Sequence, residues 1–423
     1  MTFTLRGASV MRTFGMGLTM QAMLSGANFI VGLLLLRRTN DLQYSYYVLV
    51  SGAVLLLTSL QTSFVQPYIV MGITDLGRDE RRGLVGGLVR ARRRWLPALC
   101  ATAMVGALGL GALRVLDAEQ TLLVLIAFLV GALAMNREFF RTTLFAYRRP
   151  LEVLHGDVLY VLLLVAGAWI ATRTAQPAAI TVAAIGVAAL AAGFVLRHGL
   201  WRYESWDSHS SQHVLKRLWA TGAWALTGAG IHWLLIQGYS YLVAAMLDVR
   251  SVAALAATRL TLMPVFVLSG GVSMLLFPMT SRWVRDLGTA AAARRLSLLV
   301  AGLLLMALCY MGAMWLLRDW IFNVVLKKHF ARRDVLLLLW SAVFLVTLCR
   351  DQLATLPAAC ERFRSMSMNT GMSALVWLVA SYIAIQRLGA AGAVVGILVG
   401  ELTNIVGIVA IMIEESRVPV RAV

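Results

Sequence analysis

The sequence predicts an all-α polytopic membrane protein with about twelve transmembrane helices, and three observations lead to this fold class. The chain of 423 residues is 60% hydrophobic and only 14% charged, and its mean hydropathy is +0.78. A soluble chain of this length carries roughly 25% charged residues, which excludes a soluble globular fold. The charges also cluster between apolar stretches of about 20 residues, the length that a membrane-spanning helix needs.

Twelve such stretches follow one another along the chain, joined by short connections. The first stretch is expected to stay as an uncleaved span, because it is too long for the apolar part of a signal peptide and lacks a small-residue cleavage site. The predicted spans are 14–36, 44–72, 95–113, 120–146, 152–172, 177–196, 218–246, 255–281, 296–317, 334–356, 366–386 and 390–413.

The positive charge of the chain is assigned to loops that face lipid headgroups. Lys and Arg number 38 against 20 Asp and Glu, a formal net charge of +18. With both termini in the cytoplasm, the cytoplasmic segments hold roughly twice as many Lys and Arg as the external ones. The basic run 78–95 is predicted to set this orientation and to attract anionic inner-leaflet lipid, by about 1 kcal/mol per residue. No nucleic-acid partner is predicted.

An internal repeat links the two halves of the chain. When 136–149 is laid over 349–362, Arg137 coincides with Arg350, and each is followed by an acid. Because each half holds an even number of spans, the two halves enter the membrane from the same side, which is the parallel type of repeat.

The repeat predicts two pseudo-symmetric six-helix lobes around a central cavity. We assign residues 1–216 to the N-lobe and 217–423 to the C-lobe. The polar segment 197–217 is the predicted cytoplasmic linker.

Several charged residues lie within predicted spans, where an ionised side chain costs about 2.5–3.5 kcal/mol at mid-bilayer. Arg137 and Arg141 share one face of span four, while Glu138 points about 100° away, so Glu138 alone is not expected to neutralise both. Span ten holds Arg350 and Asp351. The arginines either extend to the headgroups or form a cationic wall that faces an anionic substrate.

Glu401 is the second charged candidate, near the middle of span twelve with Asn404 on the same side. An unpaired carboxylate is costly there. Glu401 is therefore interpreted as a proton-coupling or ion-coupling acid, as part of a hydrogen bond between helices, or as the partner of an arginine in the other lobe. Asp351 and Glu138 are the other candidate coupling acids.

Neutral polar side chains also interrupt apolar spans. Gln21, Ser25 and Asn28 form one stripe in span one, and span seven carries His232 and Gln237. Such stripes either join helices through hydrogen bonds, of about 0.6 kcal/mol each, or line a cavity.

Three segments resemble one transporter superfamily. The segment NFIVGLLLLRRTNDLQYSYYVLV (28–50) is similar to its first two spans, IFNVVLKKHFARRDVLLLLWSAVFLV (321–346) to its ninth-to-tenth connection, and RLGAAGAVVGILVGELTN (387–404) to its last span. The superfamily is the multidrug/oligosaccharidyl-lipid/polysaccharide (MOP) flippases, and the branch is that of polysaccharide and O-antigen flippases. The chain departs from it at Tyr46 or Tyr47, where the family commonly has Gly.

The resemblance implies a flippase that works by alternating access in polysaccharide biosynthesis, at the bacterial inner membrane. It would move a polyprenyl-diphosphate-linked oligosaccharide to the outer leaflet, with Arg137, Arg141 and Arg350 on the diphosphate. A polysaccharide polymerase and glycosyltransferases are candidate partners, beside membrane lipids. The residues assigned to the sugars are Gln21, Asn28, His232 and Gln237.

Three alternatives stay open. A multidrug and toxin extruder would export organic cations, and its cavity would present acids rather than arginines. A membrane polysaccharide polymerase or ligase needs catalytic residues on a large external loop, which the short connections do not provide. A scaffold in an export complex is the third. No catalytic residue, cofactor or metal site is predicted, since the four cysteines lack metal-ligand or disulfide spacing.

Overall fold

The computed structural model describes residues 2–75, 77–203, 212–330 and 332–417. Twelve long helices account for nearly all of these residues. Three short helical segments lie in two of the connections: Arg318–Trp320, the π-helical turn Ile321–Leu326, and Thr355–Ala359. The long helices are α1 (Thr2–Arg38), α2 (Asp41–Asp75), α3 (Arg78–Ala112), α4 (Ala118–Ala146), α5 (Pro150–Ala171), α6 (Pro177–Tyr203), α7 (Gln212–Met246), α8 (Ser251–Leu287), α9 (Thr289–Leu316), α10 (Arg333–Leu353), α11 (Phe363–Leu388) and α12 (Ala390–Arg417).

The predicted fold class is confirmed, because each of the twelve predicted spans overlaps one long helix. In the described part of the chain, ten helices are long and apolar enough to cross a membrane. The largest difference is at α3, which begins at Arg78 rather than near 95. The basic run is helical because one of its faces is apolar, and Val85 and Leu88 on that face are buried.

The chain divides into two compact units, residues 1–233 (the N-unit) and 234–423 (the C-unit). The predicted lobe boundary between 216 and 217 stays a prediction, and the division into compact units falls inside α7. Trp233 gives the physical reason, since its Nε1 donates to the carbonyl oxygen of Gly52 at 2.8 Å and ties the first part of α7 to α2.

The connection between α6 and α7 is shorter than the predicted linker 197–217. Helix α6 continues through Tyr203 and α7 begins at Gln212, and residues 204–211 lie outside those that the structure describes. The assignment of six spans to each lobe stays a prediction.

The N-unit is built around α4, which contacts α2, α3 and α6. Local sequence sets the ends of these helices. The Asp117 carboxylate caps α4 by accepting a hydrogen bond from the backbone N–H of Gln120 at 2.7 Å, and Pro150 begins α5. Gly193 of α6 lies against the backbone of Arg137, 3.5 Å from where a Cβ would stand. This close approach places the backbone of Arg137, on α4, directly against α6.

The C-unit depends on close packing of α11 against α12. Gly392, Gly396 and Gly400 recur every four residues on α12, and a Cβ at Gly396 or Gly400 would overlap Ser381 or Trp377 of α11. Small residues at this spacing let two helices approach in a membrane, where packing replaces the hydrophobic effect as the driving force. The turn between the two helices needs Gly389, whose φ is +64°.

Candidate functional site

The predicted arginines of α4 are bound by an acid from α5. Asp157 is completely buried, and it accepts one hydrogen bond from Nη2 of Arg137 at 2.5 Å and another from Nε of Arg141 at 3.0 Å. Glu138 Oε1 accepts from Arg141 Nη1 at 3.1 Å, and Glu138 Oε2 lies 3.9 Å from Nη1 of Arg137. The Arg137 guanidinium also lies 3.9 Å from the centroid of the Tyr160 ring.

These four charged groups form the N-cluster: Arg137, Glu138, Arg141 and Asp157. Two guanidinium groups face two carboxylates, so the formal charges cancel. A buried carboxylate with two charge-assisted hydrogen bonds is strongly held, and both arginines are directed at Asp157. Glu138 does not neutralise both arginines alone, as the sequence indicated, because Asp157 supplies the second negative charge.

The C-unit contains a second group of charges, the C-cluster of Arg350, Asp351 and Glu401. Arg350 donates to Glu401 through Nε at 3.0 Å and Nη2 at 3.2 Å, and its Nη1 lies 3.0 Å from the Asp351 carboxylate. Glu401 is only 9% exposed. Two carboxylates face one guanidinium, so this cluster has one negative charge in excess.

The position of Glu401 distinguishes between the three predicted interpretations. Its partner Arg350 lies in the same unit, so the contact is a hydrogen bond between helices α10 and α12 rather than a contact with the other lobe. Asn404 does not join this contact. Its side chain and backbone oxygens instead accept hydrogen bonds from Asn369 of α11, at 2.8 and 2.9 Å.

Arg259 on α8 is another intramembrane arginine, and it has no acidic partner among the described residues. Its Nη1 donates to Gln237 Oε1 and to the Tyr239 hydroxyl, both at 3.4 Å. The rings of Tyr239 and Trp340 lie 5.6 and 5.7 Å from the guanidinium carbon. In the part of the chain that the structure describes, the positive charge of Arg259 is therefore contacted only by neutral groups. Gln237, predicted to bind sugar, lies beside this cation.

Arg92 on α3 is a second arginine of this kind and is 7% exposed. Its Nη2 donates to the side-chain oxygen of Asn136, and the rings of Phe139 and Phe140 lie 4.4 and 5.1 Å from its guanidinium carbon. Among the residues that the structure describes, no carboxylate pairs with it.

The remaining predicted sugar-binding residues lie in the N-unit. Gln21 and Asn28 are exposed on α1, and His232 is exposed on α7. Within the described ranges, no group of three His, Cys, Asp or Glu side chains is placed to hold a metal ion.

Sequence reasoning assigned no role to Arg92 or Arg259 and no partner to Asp157. A signal for Asp157 exists, since it is a carboxylate inside an otherwise apolar span. For Arg92 the signal is its spacing from Leu84 and Leu88, which puts it on the apolar face of α3. The surrounding run of arginines obscures this spacing.

No family model and no curated protein sequence matches the chain. Solved structures do. An inward-facing MATE family multidrug resistance transporter of the MOP superfamily matches 94% of this chain and 94% of its own, with TM-score 0.67 and 13% identity. The lipid II flippase MurJ, in an inward closed conformation, covers 98% of this chain and 90% of its own, with TM-score 0.72 and 9% identity.

The chain therefore shares the fold of these solved transporters. The structure of a eukaryotic MATE transporter, AtDTX14, is also similar. It covers 95% of this chain and 96% of its own chain, with TM-score 0.55 and 15% identity. Together with the ten long apolar helices, this fold makes the chain a multi-pass membrane protein.

Proposed function

We propose that this protein is a flippase that moves a polyprenyl-diphosphate-linked oligosaccharide from the cytoplasmic to the outer leaflet, for synthesis of a surface polysaccharide. In this proposal it acts in a bacterial inner membrane with both termini in the cytoplasm. It would receive cargo made by glycosyltransferases and deliver it to a polysaccharide polymerase. The MOP fold supports a transporter of this general type.

Arg259 is the observation that supports an anionic cargo. A cation within an apolar helix is costly unless it is paired or faces a wet path, and the contacts of Arg259 are an amide, a hydroxyl and two rings. A diphosphate oxygen would supply the missing negative charge through a charge-assisted hydrogen bond. Gln237, already in contact with Arg259, would bind a neighbouring sugar hydroxyl.

The other residues that are predicted to contact the cargo differ in whether they already bind another side chain. Arg137, Arg141 and Arg350 already bind carboxylates, so the cargo would have to displace those acids. We propose that they contribute to the cargo path only when these ion pairs open. Gln21, Asn28 and His232 keep their proposed role with the sugars.

A second candidate is the export of organic cations in exchange for protons or sodium. The C-cluster favours it, because the buried carboxylate of Glu401 can hold a cation or a proton. The two candidate functions differ in the charge of the cargo. Loss of the Arg259 charge would remove an attraction for an anionic cargo, whereas it would remove a repulsion for a cationic cargo.

Arg259→Gln tests the proposal with little structural disturbance, because it leaves no carboxylate unpaired. In cells that depend on this protein for surface polysaccharide, we expect the variant to insert normally and to lose most export. Arg250→Gln is the matched control, as Arg250 is exposed in the connection before α8. Normal export by Arg259→Gln, at wild-type protein level, would contradict an anionic cargo at this residue.

A further inference from the structure

The N-unit contains a cavity of about 380 Å³ among α2, α3, α4 and α7. This size is at the lower end of the range of about 300–1,000 Å³ that is usual for small-molecule sites. Its wall is apolar, with Leu60, Trp95 and Leu99 among the lining residues, apart from two polar side chains. These are Gln61 and Arg92.

Both polar side chains are buried and incompletely hydrogen-bonded. The Nη2 of Arg92 binds Asn136, while its Nη1 has no partner among the described residues. Gln61 is 5% exposed, and its Nε2 donates to the carbonyl oxygen of Met135 at 2.7 Å. Its Oε1 has no partner there. Buried polar groups are normally satisfied, so two residues of the cavity wall each have a buried polar atom without a partner, a donor on Arg92 and an acceptor on Gln61.

The electrostatic surroundings of Arg92 select for an anion. The charged side chains that act on it are the cations Arg93 and Arg197, and no described acid pairs with it. A ligand with a negatively charged oxygen would bind the free Nη1 and offset this concentration of positive charge.

The order of residues along α3 indicates the shape of the ligand. Arg92, Trp95 and Leu99 lie on one helix face, and all three line the cavity. Arg92 stands where the basic run meets the apolar part of the helix, the depth at which lipid phosphates meet acyl chains. An anionic headgroup at Arg92 would therefore continue into an apolar chain along Trp95 and Leu99.

We propose that this cavity binds one acidic phospholipid of the surrounding bilayer. Its phosphodiester accepts a hydrogen bond from Nη1 of Arg92, a headgroup hydroxyl donates to Oε1 of Gln61, and one acyl chain fills the apolar part. Phosphatidylglycerol has all three features. The apolar wall of this cavity does not suit an oligosaccharide, and the site does not depend on which cargo the protein moves.

The test measures lipid binding to the purified full-length protein in detergent. Phosphatidylglycerol is titrated against phosphatidylcholine with the same acyl chains, and bound lipid is counted by native mass spectrometry. We expect a phosphatidylglycerol complex that Arg92→Gln weakens by about tenfold or more, the loss expected for a charge-assisted hydrogen bond. Arg94→Gln is the matched control, since it removes the same charge from an exposed residue two positions further along α3 and should leave the affinity within about twofold of wild type.

A second variant keeps the Arg92 guanidinium and reduces the volume of the cavity. Leu60→Trp fills the cavity with another apolar side chain, so it should also abolish phosphatidylglycerol binding. Equal binding of the two phospholipids by the wild-type protein would overturn the proposal, as would undiminished affinity in Arg92→Gln or Leu60→Trp. Selective binding of polyprenyl phosphate in place of phosphatidylglycerol would also overturn it, because the cavity would then belong to the cargo.

Discussion

The N-cluster and the C-cluster use the same sequence element in different ways. Both contain an arginine followed by an acid, Arg137 with Glu138 and Arg350 with Asp351, at matching positions of the internal repeat. Both arginines also bind a carboxylate from another helix. The N-cluster adds Arg141 and is formally neutral, whereas the C-cluster has one carboxylate in excess.

This difference separates a structural role from a coupling role. In a low-dielectric interior, removing one member of a neutral buried pair leaves an uncompensated charge. Removing the excess carboxylate of the C-cluster leaves one acid and one arginine, which still compensate each other. We therefore expect the N-cluster to stabilise its unit and the C-cluster to exchange a proton or cation during transport.

The largest effect is expected for Asp157→Asn. This change leaves Arg137 and Arg141 with Glu138 alone, and breaking a buried ion pair of this kind costs about 3–5 kcal/mol of unfolding free energy. The measurement is unfolding of the purified protein in mixed detergent micelles. Glu138→Gln is the control and should cost clearly less, because the Glu138 carboxylate is partly exposed. Equal losses for the two variants would contradict a dominant role for Asp157.

An intermediate effect is expected for Glu401→Gln. The amide oxygen still accepts a hydrogen bond from Arg350, and Asp351 still balances its charge, so the unfolding free energy should fall by about 1 kcal/mol. Transport should change more than stability, and its dependence on pH should be lost if the coupling ion is a proton. A pH profile identical to that of the wild type would reduce Glu401 to a packing role.

The smallest effect is expected for Arg362→Gln, in the connection between α10 and α11. Arg362 donates a hydrogen bond to the carboxylate of Glu415, and this contact raises the pKa of Arg362 above its ordinary value. Exposed ion pairs contribute little to stability, so we expect no resolvable change in the thermal unfolding midpoint. A loss of stability as large as that of Glu401→Gln would contradict the distinction between exposed and buried ion pairs.

The helices and the recurrence of Arg with an acid were predictable, because both depend on local sequence. Apolar length predicted the twelve helices, and the repeat predicted that Arg137 and Arg350 occupy corresponding positions. The acids that bind them were not predictable, since Asp157 and Glu401 come from other helices and periodicity does not specify which faces meet.

Burial explains one of the remaining failures. Arg92 and the exposed Arg93 are adjacent in one basic run, and composition does not distinguish them. Only the packing of α3 against α4 buries the first. Arg259 is only partly buried, and it was missed for another reason: its neutral partners Gln237 and Trp340 come from α7 and α10, and the sequence does not specify that these helices meet at Arg259.

Flipping of lipid-linked oligosaccharide in proteoliposomes tests the central claim most directly. Purified wild-type protein, Arg259→Gln and the control Arg250→Gln are reconstituted with a fluorescent polyprenyl-diphosphate oligosaccharide, and the label that reaches the outer leaflet is measured over time. We predict fast transfer by the wild type and by Arg250→Gln, and transfer by Arg259→Gln reduced to near the rate of protein-free vesicles. Wild-type protein that leaves the rate at the protein-free level, or Arg259→Gln that matches the wild type, would contradict the account.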